Sequence, residues 1–482
     1  MDKQLAVCPV RHQAIADAHA IAIQTDAVAI SYQQLDKTLD RVVAQLVNLK
    51  LQAGDRLICI SENSLELILL QLACIRTGII FCPLNPRFSK QEIGQRIEIL
   101  NSDYIWLANN SKHDYLSSLP IDFSVEKEAV NAINTVAALK IDAQKVSNII
   151  FTSGSSGQPK AVMHCFSNHY YSALASQNAI PLQPGDRYLL SLPLFHISGF
   201  ATVMRTFIAG ATLLVSSHKL SVTLLKREKI THLSLVSTQL YRLLGKLGFQ
   251  AKALSLKHLL LGGSPFSERL LTQTRERGFV YHLSYGLSEM SSQVATSTNS
   301  NKLQLLPEQQ VKIINNEIYL RGKMRFVGYY NGDLKTDRLP EQQWFASKDS
   351  GSLIGRQLLI SGRKDRLIIS GGENIQAEEL ESVLLNFVYV KQAVVVAVSD
   401  PVFGERPVAF IDWVNKEAKQ AQLSAYLQDK LSTYKQPVHY LPLPEQKNIK
   451  VSLQTLRVIA QTRHNNFLKE ENLRQNRHLS NN

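Results

Sequence analysis

Apolar and polar positions alternate along the chain with two periods, and the switch between them marks out elements. From Tyr32 to Leu49 apolar residues return every three to four positions, which predicts a helix facing a core on one side. RLICI (56–60) is a short apolar run of strand character, a second helix is expected from Ser64, and GIIFCPLN (78–85) reads as another buried strand. Strand-like runs recur as NIIFTS, RYLLSLP and ATLLVSS with helical stretches between them. Helices alternating with apolar strands predict βα units and a parallel sheet, an α/β body. The segment from Asn109 to Lys145 is weakly patterned and reads as peripheral elaboration.

The pattern changes near Gly362. Beyond it RLIIS, a helix from Gln376 to Leu385, KQAVVVAVS, PVAFIDW and a further helix predict a small α+β unit, entered through the charged run GRKDR. The expected organisation is a large body over residues 1–362 and a small domain over 363–482, with the boundary placed where a hinge fits.

Composition narrows this only a little. A chain of 482 residues is too long for one core, and 45% hydrophobic with 19% charged residues is ordinary for a globular protein. The N-terminus lacks the apolar core and cleavage site of a signal peptide. LELILLQLACIRTG (65–78) contains Glu66 and Arg76 and is too short to span a bilayer, so a buried helix is expected there. Five cysteines without CxxC spacing suit free buried thiols, a reducing cytoplasm and no Cys/His metal site. The net charge of +13 is spread rather than clustered, so a nucleic-acid partner is not expected; steering of anionic substrates is the better use of it. The polar tail RHNNFLKEENLRQNRHLSNN is expected to be a solvated, partly disordered terminus.

The candidate chemistry starts at FTSGSSGQPKAV (151–162). As a Ser/Gly-rich stretch it reads either as a flexible linker or as a phosphate loop. It leaves an apolar run directly, as a loop at a strand end does. Gly154 and Gly157 allow backbone N–H groups to converge on an anion, Thr152, Ser153, Ser155 and Ser156 add hydroxyls, and Lys160 adds charge. It is not a Walker loop, because Gln158 and Pro159 separate Gly157 from Lys160 and Ala161 follows.

TSGSSGQPKAV resembles the phosphate-binding signature of the adenylate-forming superfamily, which includes acyl-CoA synthetases, adenylation domains and luciferases. Further motifs follow in that superfamily's order: LPLFHISG (192–199), LLGGSP (260–265), YGLSE (285–289), WFASKDSG (344–351), GRKDRLIISGGENIQAEELE (362–381) and LPEQKNIKVSLQTLR (443–457). The resemblance implies ATP and Mg2+ as cofactors and coenzyme A as co-substrate. It assigns Tyr285, with Gly286, Gly263 and Ser264, to adenine, and Asp349 with Arg363 to the ribose. Thr152 and Lys160 would hold phosphates, and Glu289, with Thr152, the metal; Ser288 stands where the family has threonine. Lys450 would be the catalytic lysine, although Ile449 replaces the usual glycine and keeps Lys447 as the alternative. Asp365 would be the hinge of a mobile small domain, and Gly371 and Gly372 would leave room for a pantetheine arm.

The acid is the last question. If SGFATVMR is helical, Ser198 and Arg205 share a face, with His196 at the helix start. An arginine there either holds a second carboxylate of the substrate or makes a salt bridge at the surface. SNHYYSA (167–173), VSTQLYRLL (236–244) and VKIINNEIYLRG (311–322) resemble the o-succinylbenzoate–CoA ligase family of menaquinone biosynthesis. That resemblance implies 2-succinylbenzoate as substrate, with His196, Ser198, Gly199 and Arg205 around it and Arg205 and His196 counted with the catalytic set. It adds no membrane partner and is compatible with a homo-oligomer. Another small aromatic or dicarboxylic acid–CoA ligase, or a non-catalytic acyl-adenylate-binding relative, is the alternative.

Overall fold

The computed structural model describes residues 7–109, 111–113, 116–125, 141–153, 159–263, 266–371, 373–414, 420–444 and 452–479. The first predicted helix runs Tyr32–Asn48, opened by a capping box in which Ser31 and Gln34 satisfy each other's backbone N–H groups, and it buries Leu35, Leu39, Val42, Val43 and Leu46. The second, Leu65–Thr77, is capped by Ser64 and ends on Gly78 in the left-handed region at φ 75°. Every residue from Leu67 to Arg76 is buried, so it is a core helix, as its length predicted. Arg76 is neutralised in that core by Asp36 and by Asp40, the latter at 2.6 Å. Among the described residues no helix is long and apolar enough to cross a membrane. All five cysteines are free and buried.

Two sheets build the large part. In one, Arg56–Ile60 pairs in parallel with Ile80–Leu84 and Ile105–Leu107, and Val146–Ser153 continues it before turning back antiparallel as Pro159–Cys165. In the other, Thr212–Leu214, Arg187–Leu189, His232–Leu235, His258–Leu261 and Tyr281–Leu287 lie side by side in parallel. Antiparallel strands, among them Ser292–Thr298, Phe345–Ile354 and Gln357–Arg363, extend that sheet. In such sheets ligands collect beyond the carboxyl ends of the strands; FTSGSSG, LLGGSP and YGLSE lie at such ends and WFASKDSG on an added antiparallel strand. Of the weakly patterned segment, residues 116–125 form no helix or strand but lay Leu119, Ile121 and Phe123 on the core.

After Lys364–Arg366 the chain enters a separate sheet of two hairpins, Leu367–Ser370 with Glu373–Gln376 and Val390–Asp400 with Gly404–Trp413, joined by a parallel strand His439–Pro442. The helix Ala377–Asn386 packs Leu380 and Leu384 on one face. The tail is helical as far as Leu479. It belongs to a helix, Leu453–Leu479, whose Leu456, Ala460 and His464 are buried at successive turns. His464 Nε2 lies 2.9 Å from Asp400 Oδ2 and its Nδ1 3.1 Å from His439 Nε2. The solvated terminus expected from the composition holds for residues 465–470, exposed but for half-buried Leu468, while Leu456, Ala460 and His464 dock the first turns of the helix.

Candidate active site

The hairpin Val146–Ser153/Pro159–Cys165 sets Thr152 directly opposite Lys160. The loop it carries, with Gly154, Ser155, Ser156 and Gly157, lies outside the described residues, as do the side chain of Ser153 and residues Ser264, Gly372, Lys447 and Lys450. Lys160 Nζ stands 4.8 Å from the centre of the Tyr329 ring. The hydroxyl of Tyr329 donates to Glu289 Oε1 at 2.7 Å, and burial and the facing carboxylate push that phenol's pKa up, so the proton stays on the tyrosine. Tyr329 therefore joins the predicted phosphate lysine to the predicted metal carboxylate. Sequence reasoning missed it, because the aromatic doublet in VGYYNG belongs to no recognised spacing. A hard divalent cation needs oxygen donors, and Glu289 Oε2 and the Thr152 hydroxyl are of that kind.

A second cluster gathers on the antiparallel edge. Asp349 and Arg363 are cross-strand partners. Arg363 Nη1 donates to Asp349 Oδ1 at 3.1 Å, and the Tyr285 hydroxyl donates to Oδ2 at 2.5 Å. Asp349 is 7% exposed, and its burial raises the carboxyl pKa in spite of these two donors. Arg363 also grips Asp365 with two bonds, at 2.9 and 3.0 Å. Burial raises the Asp365 carboxyl, but those bonds together with the charges of Arg363 and Lys348 hold it below the usual carboxylate range. The carbonyl of Asp365 accepts from Arg457 at 3.2 Å. The expected hinge is thus clasped from the body through Arg363 and from the last helix through Arg457.

Two glycines here have steric reasons. Gly263, following the strand His258–Leu261, sits at φ 83°, a region costly for side chains. A Cβ on Gly286 would meet the Ser292 carbonyl oxygen at 1.8 Å, at the register shift beside Tyr285. Gly371, at φ 58°, is exposed.

The third region is the helix Ile197–Ala209, with His196 as its N-cap residue. The helical prediction holds, and Ser198 and Arg205 share a face. The helix starts hard against the preceding chain, since a Cβ on Gly199 would meet the Pro193 carbonyl oxygen at 2.2 Å. His196 is exposed and Ser198 half-buried. Arg205 is 5% exposed, which removes the surface salt bridge. Its Nη2 donates to Ser292 Oγ at 2.9 Å, Tyr188 lies beside it, and its Nε is buried with no partner among the described residues. Among the described residues no carboxylate acts on it; burial and Tyr188 are the influences. Burial lowers its pKa against the influence of Tyr188.

Comparison with known proteins shows the family of both parts of the chain. Residues 10–330 match the AMP-binding enzyme family and residues 379–449 match the AMP-binding enzyme C-terminal domain. The 2-succinylbenzoate–CoA ligase of Escherichia coli strain K12 is 31% identical over 455 residues, covering 93% of this chain and 97% of the relative. That of Bacillus subtilis strain 168 is 30% identical over 450 residues, covering 88% and 91%. Among solved structures, an E. coli MenE variant with bound OSB-AMS superposes with a TM-score of 0.83 at 31% identity, covering 95% of this chain and 99% of that one. The B. subtilis o-succinylbenzoate coenzyme A synthetase in complex with ATP and magnesium gives 0.79 at 27% identity, covering 90% and 95%.

Proposed function

The chain belongs to the AMP-binding enzyme family, and from that premise we propose that it joins 2-succinylbenzoate to coenzyme A in menaquinone biosynthesis, through an acyl-adenylate, with release of pyrophosphate and then AMP. The observation that carries the choice of acid is Arg205. A guanidinium buried without a carboxylate is expensive to keep, and a substrate with a second acid group would neutralise it. A simple fatty acid offers nothing for it to bind.

In this reading the acid's reacting carboxylate attacks the α-phosphorus of ATP. Both reactants are anions, so positioning and positive charge supply most of the catalysis. Lys160, Thr152 and the loop after it take the phosphates, and Asp349 accepts from the ribose hydroxyls beside Arg363. Glu289, with Thr152, would hold Mg2+, which neutralises phosphate charge when bound. Residues 1–362 act as the adenylating body and 363–482 as a small domain turning about Asp365. That turn exchanges Lys450, acting on the bridging oxygens, for the Gly371–Gly372 passage through which the thiol reaches the anhydride.

Pyrophosphate release with 2-succinylbenzoate, benzoate and short fatty acids, each with and without coenzyme A, tests the reading. Activity confined to 2-succinylbenzoate is expected; equal rates with fatty acids would sink it. Lys450→Ala should abolish adenylation yet spare thioester formation from supplied adenylate. If Lys447→Ala does so instead, the lysine assignment moves there.

A further inference from the structure

The strand that carries Lys160 also carries His164, a buried residue outside every motif. Its Nε2 lies 2.6 Å from the carbonyl oxygen of Ser288, the residue before Glu289. A carbonyl only accepts, so Nε2 bears the proton. Burial pushes the His164 pKa down to about 4, against the pull of that carbonyl, and the ring is neutral near pH 7. Nδ1 is therefore a bare acceptor and takes the Asn148 amide N–H at 3.2 Å. The amide is then oriented, and its Oδ1 accepts from His169 Nε2 at 2.7 Å. Burial keeps His169 neutral as well. The chain of donors ends on His169 Nδ1, which has no partner among the described residues, with the ring 4.2 Å from that of Phe200 on the Arg205 helix. One acceptor, the Ser288 carbonyl, thus dictates the tautomer of two histidines.

The peptide on the far side of Glu289 is anchored too, since its carbonyl accepts from Phe326 N–H at 2.8 Å. The Cα of Glu289 hangs between two held carbonyls; that of Ser288 also accepts the Ser291 N–H at 3.0 Å, and His164 is its side-chain partner. With Oε1 taken by Tyr329, the direction in which Oε2 points depends on that turn staying fixed.

We propose that His164 is a positioning residue for Glu289, donating from Nε2 to lock the Ser288 carbonyl so that the carboxylate presents its second oxygen to a magnesium–nucleotide complex. The proposal rests on the adenylating reading above, and it concerns only how the metal carboxylate is held. A neutral donor suits the place better than a cation, which would repel the metal from behind.

The test compares His164→Phe, which keeps a ring and removes the donor, with His164→Gln, whose amide N–H can still reach the Ser288 carbonyl. Binding of ATP is measured by calorimetry across a magnesium titration and with EDTA, alongside thermal midpoints and the KM for 2-succinylbenzoate. Removing an outer partner of a metal ligand weakens metal binding about 10- to 100-fold. His164→Phe should therefore need about tenfold or more magnesium for tight ATP binding, with the acid KM unchanged, and His164→Gln should recover most of that loss. A wild-type magnesium dependence in His164→Phe, or an equal shift in both variants, overturns the proposal. Should His164→Phe fail to fold, Asn148→Ala, which frees the tautomer, should shift the magnesium titration in the same direction; no shift overturns it. If wild type binds magnesium–ATP but releases no pyrophosphate with any acid, the functional reading has failed and the titration still judges His164.

Discussion

Replacing Arg205 by methionine should make the ligand-free protein more stable and the enzyme worse at recognising its acid. The guanidinium is 5% exposed, its Nε has no partner among the described residues, and one bond of 2.9 Å runs from Nη2 to Ser292 Oγ. A buried donor left unmade costs about 1–3 kcal/mol. Methionine follows the same path with a flexible apolar chain, so the Arg205→Met protein should gain stability of about that size, as when buried ions give way to apolar side chains. Binding moves the other way. A hydrogen bond to a charged group contributes about 1.5–3 kcal/mol, which corresponds to a KM for 2-succinylbenzoate raised about 10- to 150-fold. The KM for ATP should hold. Arg205→Lys should fall between, because an ammonium keeps the charge and loses the planar fork. Calorimetry without ligand and initial rates of pyrophosphate release read the two effects separately. A lowered melting temperature with an acid KM within threefold of wild type would refute the reasoning, and Arg205 would then be a structural residue.

Asp349→Ala removes the acceptor shared by Tyr285 and Arg363 and should raise the KM for ATP about tenfold or more, the scale of one charged hydrogen bond or two, while leaving the acid KM in place. An unchanged ATP KM would separate Asp349 from the nucleotide. The stability of the fold should fall in acid. His164 is held at about 4 against an ordinary 6.5, so below pH 6.5 the unfolded chain takes a proton that the folded chain refuses. Its contribution, present above pH 6.5, is lost as pH falls toward 4, by about 3 kcal/mol at pH 4; urea melts at pH 7 and 4.5 should show His164→Gln losing less than wild type. Leu456→Ala should loosen the last helix from its sheet, since Leu456 is fully buried and such truncations cost about 2–5 kcal/mol. Limited proteolysis should then cut within 453–479 faster than in wild type.

Local elements were readable because their causes are local. Ser31 with Gln34 opens the first helix, Ser64 and Gly78 bound the second, and uniform burial of 67–76 follows from an apolar run too short for a bilayer. The motif residues at strand ends were readable for the same reason, being short stretches with fixed spacing. The docking of the last helix was not legible in its sequence. What holds it is the placement of Leu456, Ala460 and His464 against a sheet that includes Asp400, 64 positions before His464, and composition does not record a docking partner.

By itself the chain's sequence determined the α/β body, the small second sheet's elements and the chemical inventory: hydroxyls, glycines and a lysine for phosphate, carboxylates at 289 and 349, and an arginine on the same helix face as Ser198. Only the tertiary structure decided which of these meet. Strand register set Asp349 against Arg363 and Thr152 against Lys160. Packing of distant strands brought Tyr329 to Glu289 and His164 to Ser288, contacts spanning 40 and 124 residues. Burial turned Arg205 from one arginine among many into a cation with no carboxylate partner among the described residues. Hydrogen bonds and desolvation act over a few ångströms of space, whereas sequence periodicity reports only neighbours along the chain, and that difference in range separates what was legible from what was not.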